Sequence, residues 1–301
     1  MSALRQHLGL LVGPRPGLRE GASLPPLRVT GEVAWDRAKV DAYRRLTGAV
    51  DRATLPLLAP QVMAAGLHLE LFADRRFPFK ALGLVHVEDV VTCVRAAPAE
   101  ATLSLVASVG NARPGPGGTL FDLSTEASDR DGPVGTWTAT ILARGPRGAS
   151  SSTEKKPDAP LDGALLASAV AAAPEDIGRR YAAVAGDLNP IHQRAILAKA
   201  FGFPRAIAHG MWTLARALAE VGDLVGEHPR HVHARFRKPL FLPGRFVIEA
   251  RDRGDGTFTV EALPTREALP TSSPKSNLTR AEVNLTQAGV SLTELRSTSP
   301  S

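Results

Sequence analysis

Between Gly186 and His192 the chain reads G-D-L-N-P-I-H, and this polar turn constrains everything around it. Pro190 keeps Asn189 out of the α region, so the turn cannot continue a helix. Upstream, Ala173-Pro174-Glu175-Asp176 suits a helix start. A proline at the first helical position needs no amide partner, and two acids sit at the positive end of the dipole. Gly186 is the residue type that closes such a helix in the left-handed conformation. A second helix is predicted from about Gln193 to Phe201, ending at Gly202. A third runs from Gly210 to Val221, with Met211, Leu214, Leu218 and Val221 on one stripe and Gly222 as its stop. Three short helices thus alternate with two polar turns, and the third is apolar enough to be buried.

The residues suited to chemistry fall in those turns. In a bent loop the carboxylate of Asp187 and the imidazole of His192 can converge, whereas on a helix five positions separate them by about 140°. A held Asp and His form a general acid/base pair. The unpaired amides at Gly210 lie at a positive dipole end, where a carbonyl oxygen gaining charge is stabilised, and glycine lets a substrate approach the backbone.

The pattern Y-x-x-x-A-G-D-x-N-P-I-H, followed by A-x-x-x-G-F and I-A-H-G-M, closely resembles the hydratase motif of the MaoC-like dehydratases, the (R)-specific enoyl-CoA hydratases. The likeness covers about 40 residues, and RFRKPLFLPG at Arg235 to Gly244 extends it. It implies a hot-dog fold, a curled antiparallel sheet wrapping one long helix. It also implies reversible hydration of a trans-2-enoyl thioester to the (R)-3-hydroxyacyl thioester. By that resemblance Asp187 and His192 hold and deprotonate the water, and the Gly210 amide polarises the thioester carbonyl. Asn189 braces the loop, and Asn189, His209 and Met211 are the candidate substrate contacts. Two plainer roles stand beside these: His209 as a cap or packing residue at the helix start, and Tyr181 as core with its hydroxyl tied locally. No cofactor is implied beyond coenzyme A or acyl carrier protein as the carrier of the acyl thioester.

An earlier stretch repeats the order of elements. RVTGEVAW reads as a strand, DRAKVDAYRRLTG as a helix closing on Gly48, and LAPQVMAAGLHLELF as a buried helix. ALGLVHVEDVVTCV, ATLSLVASVGNA and TWTATILARG read as strands. Tyr43 and Gly48 have the same five-residue spacing as Tyr181 and Gly186, and LVHVEDVV echoes HVHARFRKPL. This is a degenerate internal duplication. Ala49 follows Gly48 where an Asp would be needed, and no His follows until His68, so the first copy lacks the acid/base pair. Its expected task is to complete the sheet and to pocket the acyl chain. Gly66 is read as a packing glycine or as a point of close approach for that chain. The expected fold is an α+β double hot-dog. Its parts are a flexible segment over 1–27, a non-catalytic repeat over 28–146, a linker over 147–163, a repeat bearing the motif over 164–295 and a disordered tail over 296–301. FVIEARD and TFTVEAL signal a hairpin around Gly254-Asp255-Gly256, and LTRAEVNLT is a further strand candidate.

Composition narrows the partners. Hydrophobic residues make up 44% and charged residues 22% of 301, an ordinary globular balance without a membrane-length apolar run. The net charge of +6 fits anionic phosphates, an acidic carrier or plain solubility. With no basic block and few aromatics, nucleic acid fits poorly. A single Cys93, in a strand-like stretch, excludes a disulfide framework and fits a reducing, cytoplasmic setting. The Arg-bearing start leaves a mitochondrial leader as the alternative to a flexible terminus. His231 and His233 share one face of a strand, but without a Cys or helical His partner the alternation reads as a half-exposed strand rather than a metal site. A double hot-dog is its own pseudo-dimer, so either a monomer or a homodimer is expected. The leading functional expectation is a 3-hydroxyacyl-thioester dehydratase. A non-catalytic acyl-thioester-binding subunit and an acyl-CoA thioesterase are the alternatives.

Overall fold

The computed structural model describes residues 13–19, 21–50, 52–145, 163–222, 231–236, 239–254, 257–264 and 281–286. The first copy comprises β1 (Leu27–Val33), α1 (Arg37–Thr47), α2 (Ala59–Met63), α3 (Ala65–Ala73), β2 (Leu84–Cys93), β3 (Leu103–Gly115), β4 (Gly118–Asp129) and β5 (Gly132–Arg144). The second comprises β6 (Ala164–Ala173), α4 (Ile177–Ala185), a 3₁₀ turn (Pro190–His192), α5 (Ala195–Ala200), α6 (Gly210–Val221), β7 (His231–Phe236), β8 (Gly244–Asp252), β9 (Thr257–Pro264) and β10 (Ala281–Thr286). All pairings are antiparallel, and the strands form one ten-stranded sheet in the order β1-β3-β4-β5-β2-β7-β10-β9-β8-β6. Read from either end the order is the same within each half, so the two copies are related by a pseudo-twofold through the β2–β7 seam. This is the expected α+β double hot-dog.

Local chemistry explains the helix limits. Asp36 caps α1 by accepting from the Lys39 amide at 2.8 Å, and Gly48 closes it at φ 76°. Gly186 closes α4 at φ 79° in the same way. Helices α1 and α4 pack on each other, and the rings of Tyr43 and Tyr181, both essentially unexposed, lie 6.1 Å apart. The main core runs between the halves and contains Trp137, Trp212, Leu214 and Val232, and α6 packs against β8, β9 and β10. A second cluster, built on Phe77, Phe121, Leu71 and Leu105's neighbour Ala107, fills the far end of the first half. Each large apolar side chain buried in these clusters contributes about 1.5–3 kcal/mol.

Several elements depart from the sequence reading. The stretch LAPQVMAAGLHLELF is two helices broken at Ala64, and the second exposes Gly66 and Leu69 instead of burying them. Nothing lies within 4 Å of a side chain built on Gly66, so it is not a packing glycine. The helix expected over Gln193–Phe201 is shorter, because Pro190 first organises a 3₁₀ turn and Arg194 is extended. Gly222 ends α6 with right-handed dihedrals rather than a left-handed cap. Strands β4 and β6 lie outside the stretches that read as strands in the sequence. Strand β10, from the LTRAEVNLT stretch, pairs with both β7 and β9 and closes the second half-sheet. In the segment expected to be flexible, Arg15 donates to the carbonyls of Phe72, Asp74 and Phe77 at 2.8–3.2 Å and ties residues near 15 to the end of α3. The linker, apart from its last residue, and the tail over 296–301 lie outside the described residues. Among the described residues no helix is long and apolar enough to cross a membrane.

Candidate functional site

The polar turn after α4 is held by its own side chains. The Asn189 amide donates to Asp187 Oδ1 at 3.0 Å, and Asn189 Oδ1 accepts from the Ile191 amide at 3.4 Å. These two Asx-type bonds make the bend that Pro190 requires. Gly178 on α4 lets the turn come close, since a Cβ there would stand 1.8 Å from the His192 carbonyl oxygen. The segment before α6 is tied to the same turn: Ile207 donates its amide to the Ile191 carbonyl at 3.1 Å, and Ala208 donates to Leu240 at 2.8 Å. Asp187, His192 and His209, 22 residues apart in sequence at the extremes, are brought into one cluster in this way.

Within that cluster one carboxylate oxygen and ring nitrogens of both histidines lie within 4.8 Å of one another. His192 Nδ1 meets the Ile207 carbonyl at 2.9 Å. A carbonyl only accepts, so Nδ1 carries the proton and Nε2 is left as the base. His209 Nε2 donates to the Asp187 backbone carbonyl at 3.2 Å and lies 3.7 Å from Asp187 Oδ2. The two imidazoles are stacked, with centroids 3.8 Å apart and planes at 28°, and Tyr181 packs on His209 at 4.9 Å. The His209 side chain makes no capping bond to α6; its ring packs between Tyr181 and His192 as the inner wall of the cluster. Stacked rings direct their in-plane lone pairs side by side rather than to a shared point, so the arrangement suits proton transfer better than metal chelation.

The electrostatics separate the roles. Burial pushes His192 below the usual imidazole range, opposed by Asp187 and by the Ile207 carbonyl. Burial, reinforced by His192 alongside, pushes His209 down to about 3. Desolvation alone would raise Asp187, but His209, then His192, the Asn189 amide and His86 outweigh it and hold the carboxyl below its ordinary range. At neutral pH the cluster is one carboxylate and two neutral imidazoles. The Asp187 side chain is 52% exposed while His209 is 3% exposed, so the carboxylate stands at the mouth and the rings behind it.

Gly210 opens α6 next to His209, with its amide at the unpaired helix start. Met211 follows it, half-buried against the core. Three residues that sequence reasoning did not place at the site come from the first copy. Ala65, at the start of α3, is the neighbour of Gly186. One helical turn on, His68 bonds Thr125 Oγ1 at 2.8 Å and feels Asp187 and His86; burial lowers it to about 4. His86 on β2 lies with its ring 4.7 Å from Phe236. Their signal, two histidines at unrelated positions of a helix and a strand, has no spacing by which it can be read. His231 and His233 do share a half-exposed strand face. His233 pairs with Glu88, and His231 Nδ1 meets Thr92 Oγ1 at 3.3 Å, across the seam and outside the cluster. Cys93 is buried, with its thiol against the Arg95 carbonyl at 3.1 Å.

Comparison with known proteins adds an independent line. Residues 150–262 match the family model described as a MaoC like domain. The chain is 34% identical over 263 residues to 3-hydroxyacyl-thioester dehydratase X of Mycobacterium tuberculosis, covering 85% of this chain and 90% of that protein. The crystal structure of HtdX from the same organism superposes with a TM-score of 0.70 at 29% identity, covering 87% of this chain and all of the other. A MaoC-like dehydratase from Phytophthora capsici, at 19% identity, covers 88% of this chain and 97% of its own with a TM-score of 0.68. A Mycobacterium tuberculosis protein described as having a double hotdog fold matches at 14% identity and a TM-score of 0.55, over 91% and 98% of the two chains.

Proposed function

This chain belongs to the MaoC-like dehydratases, and from that premise we propose that it interconverts (R)-3-hydroxyacyl and trans-2-enoyl thioesters by removing or adding water at the Asp187/His192 turn. The observation that carries the reading is the pinned tautomer of His192. Its Nδ1–H is committed to the Ile207 carbonyl, which leaves Nε2 as the free nitrogen of a neutral ring, in one cluster with an ionised carboxylate.

In the hydration direction a water lies between Asp187 and His192. His192 Nε2 takes one proton as the oxygen bonds to C3, and the C2–C3 π electrons move toward the thioester carbonyl. The oxygen gaining charge is met by the Gly210 amide at the helix start. The imidazolium so formed is stabilised by Asp187, and a proton returns to C2, so H and OH are added in balance. Dehydration is the same path reversed. Asn189 keeps the turn in shape, His209 backs the carboxylate, and Met211 borders the oxyanion donor. Coenzyme A or an acyl carrier protein bears the acyl group, and the monomer is a pseudo-dimer that needs no second subunit to complete the pair.

The test is the loss of enoyl-thioester absorbance when purified protein meets crotonyl-CoA and a longer trans-2-enoyl-CoA. Turnover abolished by Asp187→Asn supports the assignment. A folded protein that binds these thioesters without changing them would be a non-catalytic acyl-binding subunit instead, and free thiol release would make it a thioesterase.

A further inference from the structure

The first copy carries no catalytic pair, yet a chain of its side chains reaches the second copy's oxyanion donor. Strand β2 has a register shift between His86 and Glu88, where an extra residue breaks its pairing with β5. A bulge of this kind re-aims a side chain off the regular alternation. His86, 22% exposed, is turned so that its ring packs on Phe236 with centroids 4.7 Å apart and planes at 59°. Phe236 in turn packs against Gly210, since a Cβ on that glycine would meet the ring at 3.2 Å.

His86 is itself held from behind. Its Nε2 donates to the Glu88 carbonyl at 2.9 Å and lies 3.8 Å from Asp89 Oδ1. The same carboxylate oxygen accepts the Gln61 side-chain amide at 2.9 Å. Asp89 is unexposed and Gln61 nearly so, and Asp89 Oδ2 and Gln61 Oε1 are both buried without a hydrogen-bond partner. A carboxylate in that position is costly, because desolvating a charge is seldom repaid in full by its neighbours. An apolar residue would seal the seam opposite Ala234 more cheaply. Where it stands, the carboxylate holds the Gln61 amide and faces His86 Nε2 from behind, while the Glu88 carbonyl fixes the ring.

Resting on the proposed dehydratase reading, we infer that Gln61, Asp89 and His86 of the first copy are positioning residues for catalysis, acting through Phe236 to hold the Gly210 amide where the thioester oxygen gains charge. The unused copy is thus part of the catalytic machinery of the other, by support rather than by contact with the reacting atoms. A displacement of about 1 Å at a reacting group can cost on the order of 100-fold in rate, so small movements of Phe236 should register in turnover.

The experiment uses the full chain and crotonyl-CoA, with kcat, KM and the thermal midpoint measured for His86→Leu, His86→Gln, Asp89→Asn and Phe236→Leu. The expected result is a fall in kcat of about 10- to 100-fold for His86→Leu, with KM changed less than about threefold. His86→Gln, which can still donate to the Glu88 carbonyl, should recover most of the loss. His86→Leu combined with Phe236→Leu should be no slower than the worse single variant, since both break one chain. His86 is partly exposed, so its variants carry the test even if Asp89→Asn does not fold. Unchanged kcat in a folded His86→Leu, or losses that multiply in the double variant, overturns the inference while leaving the dehydratase reading intact. Absence of turnover in the unsubstituted protein overturns both.

Discussion

Two helix ends in this molecule started from the same plan and now do different work. At the end of α1, Gly48 has φ 76° and donates to the Arg44 carbonyl at 2.7 Å; at the end of α4, Gly186 has φ 79° and donates to Ala182 at 2.8 Å. Beyond the first glycine the space is filled from the other copy. Trp212 Nε1 caps the Leu46 carbonyl at 2.8 Å and Arg216 caps Thr47 at 3.2 Å, with the guanidinium where a side chain on Gly48 would go. Beyond the second glycine the facing residue, among the described residues, is Ala65, with ordinary contact at 3.5 Å. There the chain turns outward through Asp187. One end is sealed by long side chains and the other is faced by a short one, so the space beside each turn depends on what the opposite copy presents as much as on the local sequence.

That contrast can be broken at several points. Asp187→Asn and His192→Ala should each lower turnover by about 10² to 10⁴-fold with the fold intact by circular dichroism; near-normal rates in both would remove the open end's claim to catalysis. Sealing the open end with Ala65→Arg should reduce kcat/KM by about 10- to 100-fold in a folded protein, by displacing the turn on a scale that costs that much. Equal activity would mean that Ala65 does not define the opening. The two glycines should separate in stability. Gly186→Ala costs about 1–2 kcal/mol for its left-handed backbone. Gly48→Ala carries the same strain and must also displace Arg216, so its thermal midpoint should fall further.

Acid should act on the open end first. His209 and His68 have folded pKa values of about 3 and about 4 because burial disfavours their charged forms. Below the ordinary histidine value of about 6.5 the unfolded chain binds more protons than the native one. Their contribution to stability is therefore complete above about pH 6.5 and falls as pH drops through the window toward 3–4. Thermal melts from pH 7 to 4.5 should show this loss, and His68→Leu should flatten it; a melt insensitive to pH would contradict neutral buried rings. The acid limb of kcat/KM should likewise lie below the usual imidazole range. The smallest effects belong to the seam's outer face, where His231→Ala should change turnover less than about twofold and stability by about 0.5 kcal/mol, typical of an exposed polar contact.

The turn itself was legible in the residues because its causes are local. Pro190 forbids a helix, Gly186 closes one, and Asp187 and Asn189 bond their own backbone, all within seven positions. The same holds for the hairpin of β8 and β9. Strand β6, by contrast, reads ALLASAVAAA, and alanine has little preference for a strand; it is recruited by pairing with β8 across some eighty residues. The break falls at Ala64, a residue type that favours helix, so no breaker at that position announces it. His68 and His86 reach the site through tertiary placement alone, by the face of a helix that meets Gly186 and by a bulge in a strand. Neither has a local signature.

The unbroken ladder from β2 to β7 has one more consequence. A symmetric dimer of a single hot-dog chain would have to carry every substitution twice, sealing both helix ends or opening both. Here the hydrogen bonds that a dimer would use join two stretches of one chain, each read from its own codons. Covalent union frees the copies from having to agree, so Arg216 can close one end without a counterpart closing the other.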